Sequence, residues 1–236
     1  MEQKRAATLV ARAWGGFAVA SLALLFAGMF ALMLSLVQFF KLSDTQQILL
    51  QTFAFHWVGL IFIVGHAKSL KTSWAVLYGM GGNLFRRIGQ VLYHYAGMMA
   101  VVIVGALGWD PLMKFFGVEV EPQDVVTIIL NAEPLALKVY LIFLAVVLAP
   151  VFEELLFRGV LFPVLAKRMP IKTAAVLVSL GFALLHAHLP AFLPLVLVSL
   201  CLCYAYWRTG SLWVNIGMHM LFNGINLLVM FQFAGG

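Results

Sequence analysis

The chain has 236 residues, 64% of them hydrophobic and only 10% charged, with a formal net charge of +6. A water-soluble domain of this size needs far more charge to cover its surface, and a mean hydropathy of +1.02 argues against one. The basic residues sit in short segments between apolar runs, where they read as topology signals rather than as a nucleic-acid surface; no nucleic-acid partner is expected.

A transmembrane helix needs about 20 mostly apolar residues. In chain order the candidate spans are 14–39, 48–66, 91–109, 136–157, 172–188, 190–207 and 211–232. The runs are continuous rather than alternating, which favours helices over a barrel. The first run, Trp14 to Phe40, is too long for a signal-peptide core and reads as a retained helix. The expected architecture is therefore all-α: a polytopic membrane bundle of about seven transmembrane helices, surrounded by lipid. No internal repeat or low-complexity tract divides it, so 1–236 reads as one domain, with N-terminal spans over 1–135 and core spans over 136–232.

The connections alternate in charge. Lys4, Arg5 and Arg12 precede the first span, and Lys68, Lys71, Arg86 and Arg87 follow the second. Segment 110–135 instead carries Asp110, Glu119, Glu121, Asp124 and Glu133 against Lys114. By the positive-inside rule the N-terminus is cytoplasmic. Segment 67–90 reads as an interfacial loop, and VVTIILNA within 110–135 as a short helix dipping into the membrane. Cys201 and Cys203, one residue apart in an apolar run, read as packing residues.

Glu153, Glu154 and Arg158 interrupt the apolar core in APVFEELLFRG. A charge inside a membrane helix costs on the order of 3 kcal/mol on insertion scales, so such residues pair with one another or face a wet cavity. Glu154 and Arg158 are four apart and share a face. Glu153 lies about 100° around the helix and is left without its own cation.

Glu153 lies 17 residues before Pro170, and His186 lies 16 after it. Two straight helices joined by a turn at that proline would bring both to one depth, about 25 Å from the turn at 1.5 Å per residue. Phe182, one helical turn before His186, can wall the same site. In the last span, Asn215, His219, Asn223 and Asn226 form a polar stripe on one face, with His219 and Asn223 able to converge on one ligand atom. His56, His66, His94 and His188 read as hydrogen-bonded packing residues.

A carboxylate beside an imidazole suits water activation, and an imidazole with an amide suits oxyanion stabilisation. No Gly-x-Ser-x-Gly elbow or His-Glu-x-x-His motif is present. A divalent metal such as zinc would take His186, His219 and Glu153 as ligands; spacing does not decide between the metal-dependent and metal-free readings.

Glu153-Glu154-x-x-x-Arg158, Phe182-x-x-x-His186 and His219-x-x-x-Asn223, in that order on three helices, resemble the three-motif signature of the CPBP family. These are CAAX-protease and bacteriocin-processing intramembrane endopeptidases, also called the Abi family. The resemblance covers roughly residues 140–230. It implies hydrolysis of a peptide bond in a peptide or protein substrate. Glu153 would be general base with His186 orienting the water. His219 and Asn223 would form the oxyanion site, and Glu154 and Arg158 would support it. Both metal-dependent and glutamate-type mechanisms are argued for such relatives. Eukaryote-type members that trim prenylated tails have eight spans, so seven point to a bacterial member in the inner membrane. Two further classes compete: a non-catalytic immunity or scaffold protein of the same fold, and a proton-coupled transporter using the unpaired Glu153.

Overall fold

The computed structural model describes residues 14–69, 78–79, 82–119 and 124–234. All regular structure among them is helical: α1 (Gly16–Phe40), α2 (44–69), α3 (Leu84–Phe115), α4 (Asp124–Asn131), α5 (Leu135–Ala166), α6 (Ile171–Leu185), α7 (Phe192–Thr209) and α8 (Leu212–Ala234). Six of these, α1, α2, α3, α5, α7 and α8, are long and apolar enough to cross a membrane, and α6 is a shorter apolar helix. The bundle expected from the sequence is thus present. Helix α4 occupies the segment expected to form a short helix. Two bounds differ. Helix α3 begins at Leu84, capped by the Asn83 side chain, which accepts from the Arg86 backbone N–H. Arg86 and Arg87 therefore lie in its first turn rather than in a loop; residues 70–77 lie outside the described residues. Helix α6 ends at Leu185, three residues short of the expected span, so His186 is the residue that closes it.

Helix α5 is not regular. It holds two π-helical stretches, Leu144–Leu148 and Phe157–Leu161, on either side of the glutamates. Each is followed closely by a proline, Pro150 and Pro163. Proline has no N–H to donate and its ring crowds the carbonyl four residues back; an added residue in the turn relieves both. In the first stretch the Ala149 N–H reaches back to the Leu144 carbonyl. That shift leaves the Ala145 carbonyl for a side chain.

The C-terminal helices pack most closely. Helix α7 lies against α3, α6 and α8, and α8 also contacts α5. The main core gathers Phe152, Leu155, Phe157 and Val160 of α5, Val178 and Phe182 of α6, Cys203 and Tyr206 of α7, and Leu212 and Ile216 of α8. Two close backbone approaches hold the N-terminal half to this core. A Cβ on Gly59 of α2 would come within 2.6 Å of the Phe152 ring. Gly79, at φ +59°, lies against the Gly210 carbonyl, and its own carbonyl accepts from the Ser211 hydroxyl at 2.8 Å. At the other end of the bundle, the Trp109 indole N–H of α3 donates to the Pro190 carbonyl at 2.9 Å. That bond ties α3 to the α6–α7 turn that follows His186.

Candidate functional site

Glu154 is fully buried and is the hub of the site. Arg158, one turn on, donates Nη1–H to its Oε1 at 2.8 Å, as the spacing of four predicts. The Arg158 Nη2 group donates to the Ser199 carbonyl and hydroxyl of α7, at 3.0 and 2.7 Å. The guanidinium also lies over the Phe182 ring, 5.2 Å from its centre, where the ring quadrupole favours a cation. A buried ion pair persists only when its remaining hydrogen-bonding capacity is largely met, and here three helices contribute to it.

Two groups from α8 complete the hub. Asn215 Nδ2 donates to Glu154 Oε2 at 3.2 Å and to the Leu202 carbonyl at 2.8 Å. His219 Nδ1 lies 2.9 Å from Glu154 Oε1. The carboxylate opposite Arg158 can only accept, so Nδ1 carries the proton. The other ring nitrogen, Nε2, lies 3.7 Å from Glu153 Oε2. The chain Arg158–Glu154–His219–Glu153 therefore links the buried ion pair to a carboxylate whose side chain is 17% exposed. Glu154 thus does more than neutralise Arg158: it fixes the orientation of His219.

Phe182 joins the other histidine to this chain. It is fully buried, with its ring centre 4.6 Å from that of His186 and 5.9 Å from that of His219. His186 Nδ1 lies 2.8 Å from the Phe182 carbonyl, which can only accept, so here too the proton sits on Nδ1 and Nε2 is the nitrogen left for other partners. Among the described residues no hydrogen bond or ion pair links Glu153 to His186. Neither arm is a regular helix throughout: a π-helical stretch lies between Glu153 and Pro170, and His186 caps α6 just past its last turn. Glu153 instead has His219 as its near imidazole.

The polar stripe of α8 is inward-facing over Asn215, His219 and Asn223, but Asn226 is exposed. Asn223 does not meet His219 in a hydrogen bond. Its Nδ2 donates to the Ala145 carbonyl at 2.9 Å, the group released by the first π-helical stretch. The amide has a second N–H beyond that bond. Among the other histidines, His66 packs on Trp14 at 4.4 Å and His94 edge-on to Tyr93 at 5.2 Å. His188 Nδ1 accepts from the Ala191 N–H at 3.2 Å, closing the turn into α7. These three have the packing and hydrogen-bonding roles expected of them. Ser199 escapes sequence reasoning, because one serine in an apolar span carries no signal of its partner. Asn215 was visible in the stripe, but its carboxylate partner was not.

The donor set for a metal does not close. Among the described residues no three His, Cys, Asp or Glu side chains are grouped to hold an ion. Of the expected set, Glu153 and His219 Nε2 face one another, while the His186 ring lies against Phe182, 4.6 Å from its centre. These residues as arranged do not fit a three-ligand metal site.

A family match falls on this part of the chain. Residues 135–225 match a family model described as type II CAAX prenyl endopeptidase Rce1-like. A curated protein of Bacillus subtilis (strain 168), "Putative membrane peptidase YdiL", is 23% identical over 145 residues, or 61% of this chain. The match spans 57% of that relative's length. No solved structure matches the chain. Every residue of the Glu154 hub, together with Glu153, Phe182, His186 and Asn223, lies inside 135–225.

Proposed function

Over residues 135–225 the chain belongs to the CPBP family, and from that premise we propose that it is an intramembrane endopeptidase in which Glu153 activates water. The observation that carries this reading is the chain Glu154–His219–Glu153: a buried carboxylate orients an imidazole whose free nitrogen faces a partly exposed carboxylate. Glu153 removes a proton from water, whose oxygen attacks the scissile carbonyl carbon. The C–N bond then breaks, and the same proton passes from Glu153 to the departing amine nitrogen. A proton on His219 Nε2 brings the charges of Arg158, Glu154, His219 and Glu153 to zero. In that state Nε2–H can donate to the developing oxyanion, with the second N–H of Asn223 as its companion. His186, held by the Phe182 carbonyl through Nδ1, orients the water through Nε2. Glu154, Arg158, Asn215 and Ser199 hold His219 in place.

The substrate in this reading is a peptide segment entering from lipid, and the membrane is a bacterial inner membrane with the N-terminus inside. Whether prenylated substrates are used is open to a direct comparison of prenylated and bare peptides. The decisive experiment compares membrane peptidomes of wild-type cells with those of Glu153→Gln and His186→Ala strains. Fragments present in the wild type should vanish in both, with the protein still inserted. Unchanged fragments in both strains overturn the reading. Full cleavage by purified protein after chelator treatment is expected; loss restored by zinc would replace the metal-free arrangement with a metal-bound one.

A further inference from the structure

Helices α3 and α7 lie side by side and antiparallel. Near the end marked by the Trp109–Pro190 bond, Gly105 lets α3 lie directly against the Leu197 side chain. Towards the other end, where the His94 and Tyr204 ring centres are 6.1 Å apart, a cavity of about 400 Å³ opens between the two helices. Tyr93, His94, Gly97 and Val101 of α3 line it with Cys201 and Tyr204 of α7, over a floor of buried Met98. Tyr93 is 77% exposed and Tyr204 52%. Gly97 is exposed too, and a Cβ added there meets nothing within 4 Å. The mouth therefore faces outward from two membrane-crossing helices, and what fills it comes from the lipid.

The charge around the cavity selects among lipids. Arg208 lies one turn beyond Tyr204 on the same face of α7, with its guanidinium carbon 6.0 Å from the centre of the Trp207 ring. Arg86 and Arg87 lie in the first turn of α3, where Arg87 donates to the neutral Gln90 Oε1 at 3.2 Å. Helix α7 has no Asp or Glu, and the one in α3, Asp110, is at the opposite end, so the charge these helices bring to this end is positive. At 1.5 Å per residue, Arg208 and Arg87 stand about 6 and 9 Å beyond Tyr204 and Tyr93. A headgroup layer is about 5–8 Å deep, so the cations are at the level of a phosphate whose acyl chain fills the cavity. Tyr93, Tyr204 and Trp207 are of the types that settle at that boundary. We propose that this groove binds one anionic phospholipid, with an acyl chain in the cavity and the phosphate against Arg208. The positive-inside rule puts this end at the cytoplasmic leaflet, whose anionic lipids attract basic residues. The site does not depend on the endopeptidase reading.

The test is native mass spectrometry of the full-length protein in detergent, titrated with phosphatidylglycerol or with phosphatidylcholine of the same acyl chains. Wild type should hold one phosphatidylglycerol more tightly than phosphatidylcholine. Arg208→Gln should weaken phosphatidylglycerol binding about fivefold, the weight of one basic residue near an anionic leaflet, and leave phosphatidylcholine binding unchanged. Gly97→Leu, which fills the cavity from an open position, should weaken both lipids at an unchanged thermal midpoint. Lys138→Gln, on α5, should alter neither. If Gly97→Leu fails to fold, Val101→Trp fills the same space. Equal affinity of the wild type for the two lipids overturns the proposal. So does phosphatidylglycerol binding that is unchanged in folded Arg208→Gln and in the folded cavity-filling variant. Lipid-free dimers of the wild type that Gly97→Leu splits would make a second copy of the chain the occupant, and would also overturn it.

Discussion

Both halves of the bundle are built of apolar helices, but they are used differently. In α1, 6% of the membrane-crossing window is buried in the protein, and in α3 11%. In α7 the figure is 44% and in α8 33%. Among these four helices hydropathy runs the other way: it is 2.3 for α1, 1.7 for α3 and 1.4 for α7 and α8. In lipid an apolar side chain gains little by moving from acyl chains to protein, so helix association relies on close packing and polar contacts. The C-terminal helices have both, with Glu154, Arg158, Ser199, Asn215 and His219 bonded across three of them. The N-terminal helices expose large apolar residues instead, such as Leu24, Phe30 and Leu107, each more than half exposed. The lower hydropathy of α7 and α8 is the mark of the helices that hold the bundle together.

This contrast can be broken or sharpened by substitution. The largest effect is expected at Glu153: Glu153→Gln should lower proteolysis by about 10²–10⁴-fold, the usual range for a lost general base, with thermal unfolding in detergent unchanged. Glu154→Leu should do the opposite first, destabilising the fold by about 3–5 kcal/mol because Arg158 is left buried without its partner. Its readout is the thermal or denaturant midpoint. In the N-terminal half, Gly59→Ala should cost about 1–3 kcal/mol through overpacking against Phe152. Gly28→Ala, where an added Cβ meets nothing within 4 Å, should be neutral or stabilise by about 0.5–1 kcal/mol. Leu24→Ala, at a side chain 73% exposed to the surroundings, should stay within about 0.5 kcal/mol of wild type. A large loss at Leu24 and none at Gly59 would mean that the contrast between the halves is drawn in the wrong place.

Much of this was legible beforehand, for reasons that also explain the rest. Helix spans follow from length and polarity alone, and the Glu154–Arg158 pair follows from a spacing of four. The inward stripe of α8 was visible through His219 and Asn223. Asn226 failed because a stripe continues along a sequence beyond the point where neighbouring helices cover it. The level placement of Glu153 and His186 assumed a regular rise, which the π-helical stretch Phe157–Leu161 interrupts. Pro150 was in plain view, but a π-helical turn inserts a residue without altering the apolar pattern, since every neighbour is apolar. The bond from Asn223 to the Ala145 carbonyl depends on that inserted residue and could not be read without it.

One consequence follows from the length of α6. Its 15 residues span about 22 Å at 1.5 Å per residue, against a hydrocarbon layer of about 30 Å. A segment this short creates hydrophobic mismatch: the bilayer thins beside it, or polar groups fill the gap. The residues just past its end supply such groups, with His186 first and His188 two positions on. A hydrolytic centre in a membrane has to draw its second substrate, water, through oil. In the proposed reading, a bilayer thinned to match the 15 residues of α6 would shorten the path of water to His186.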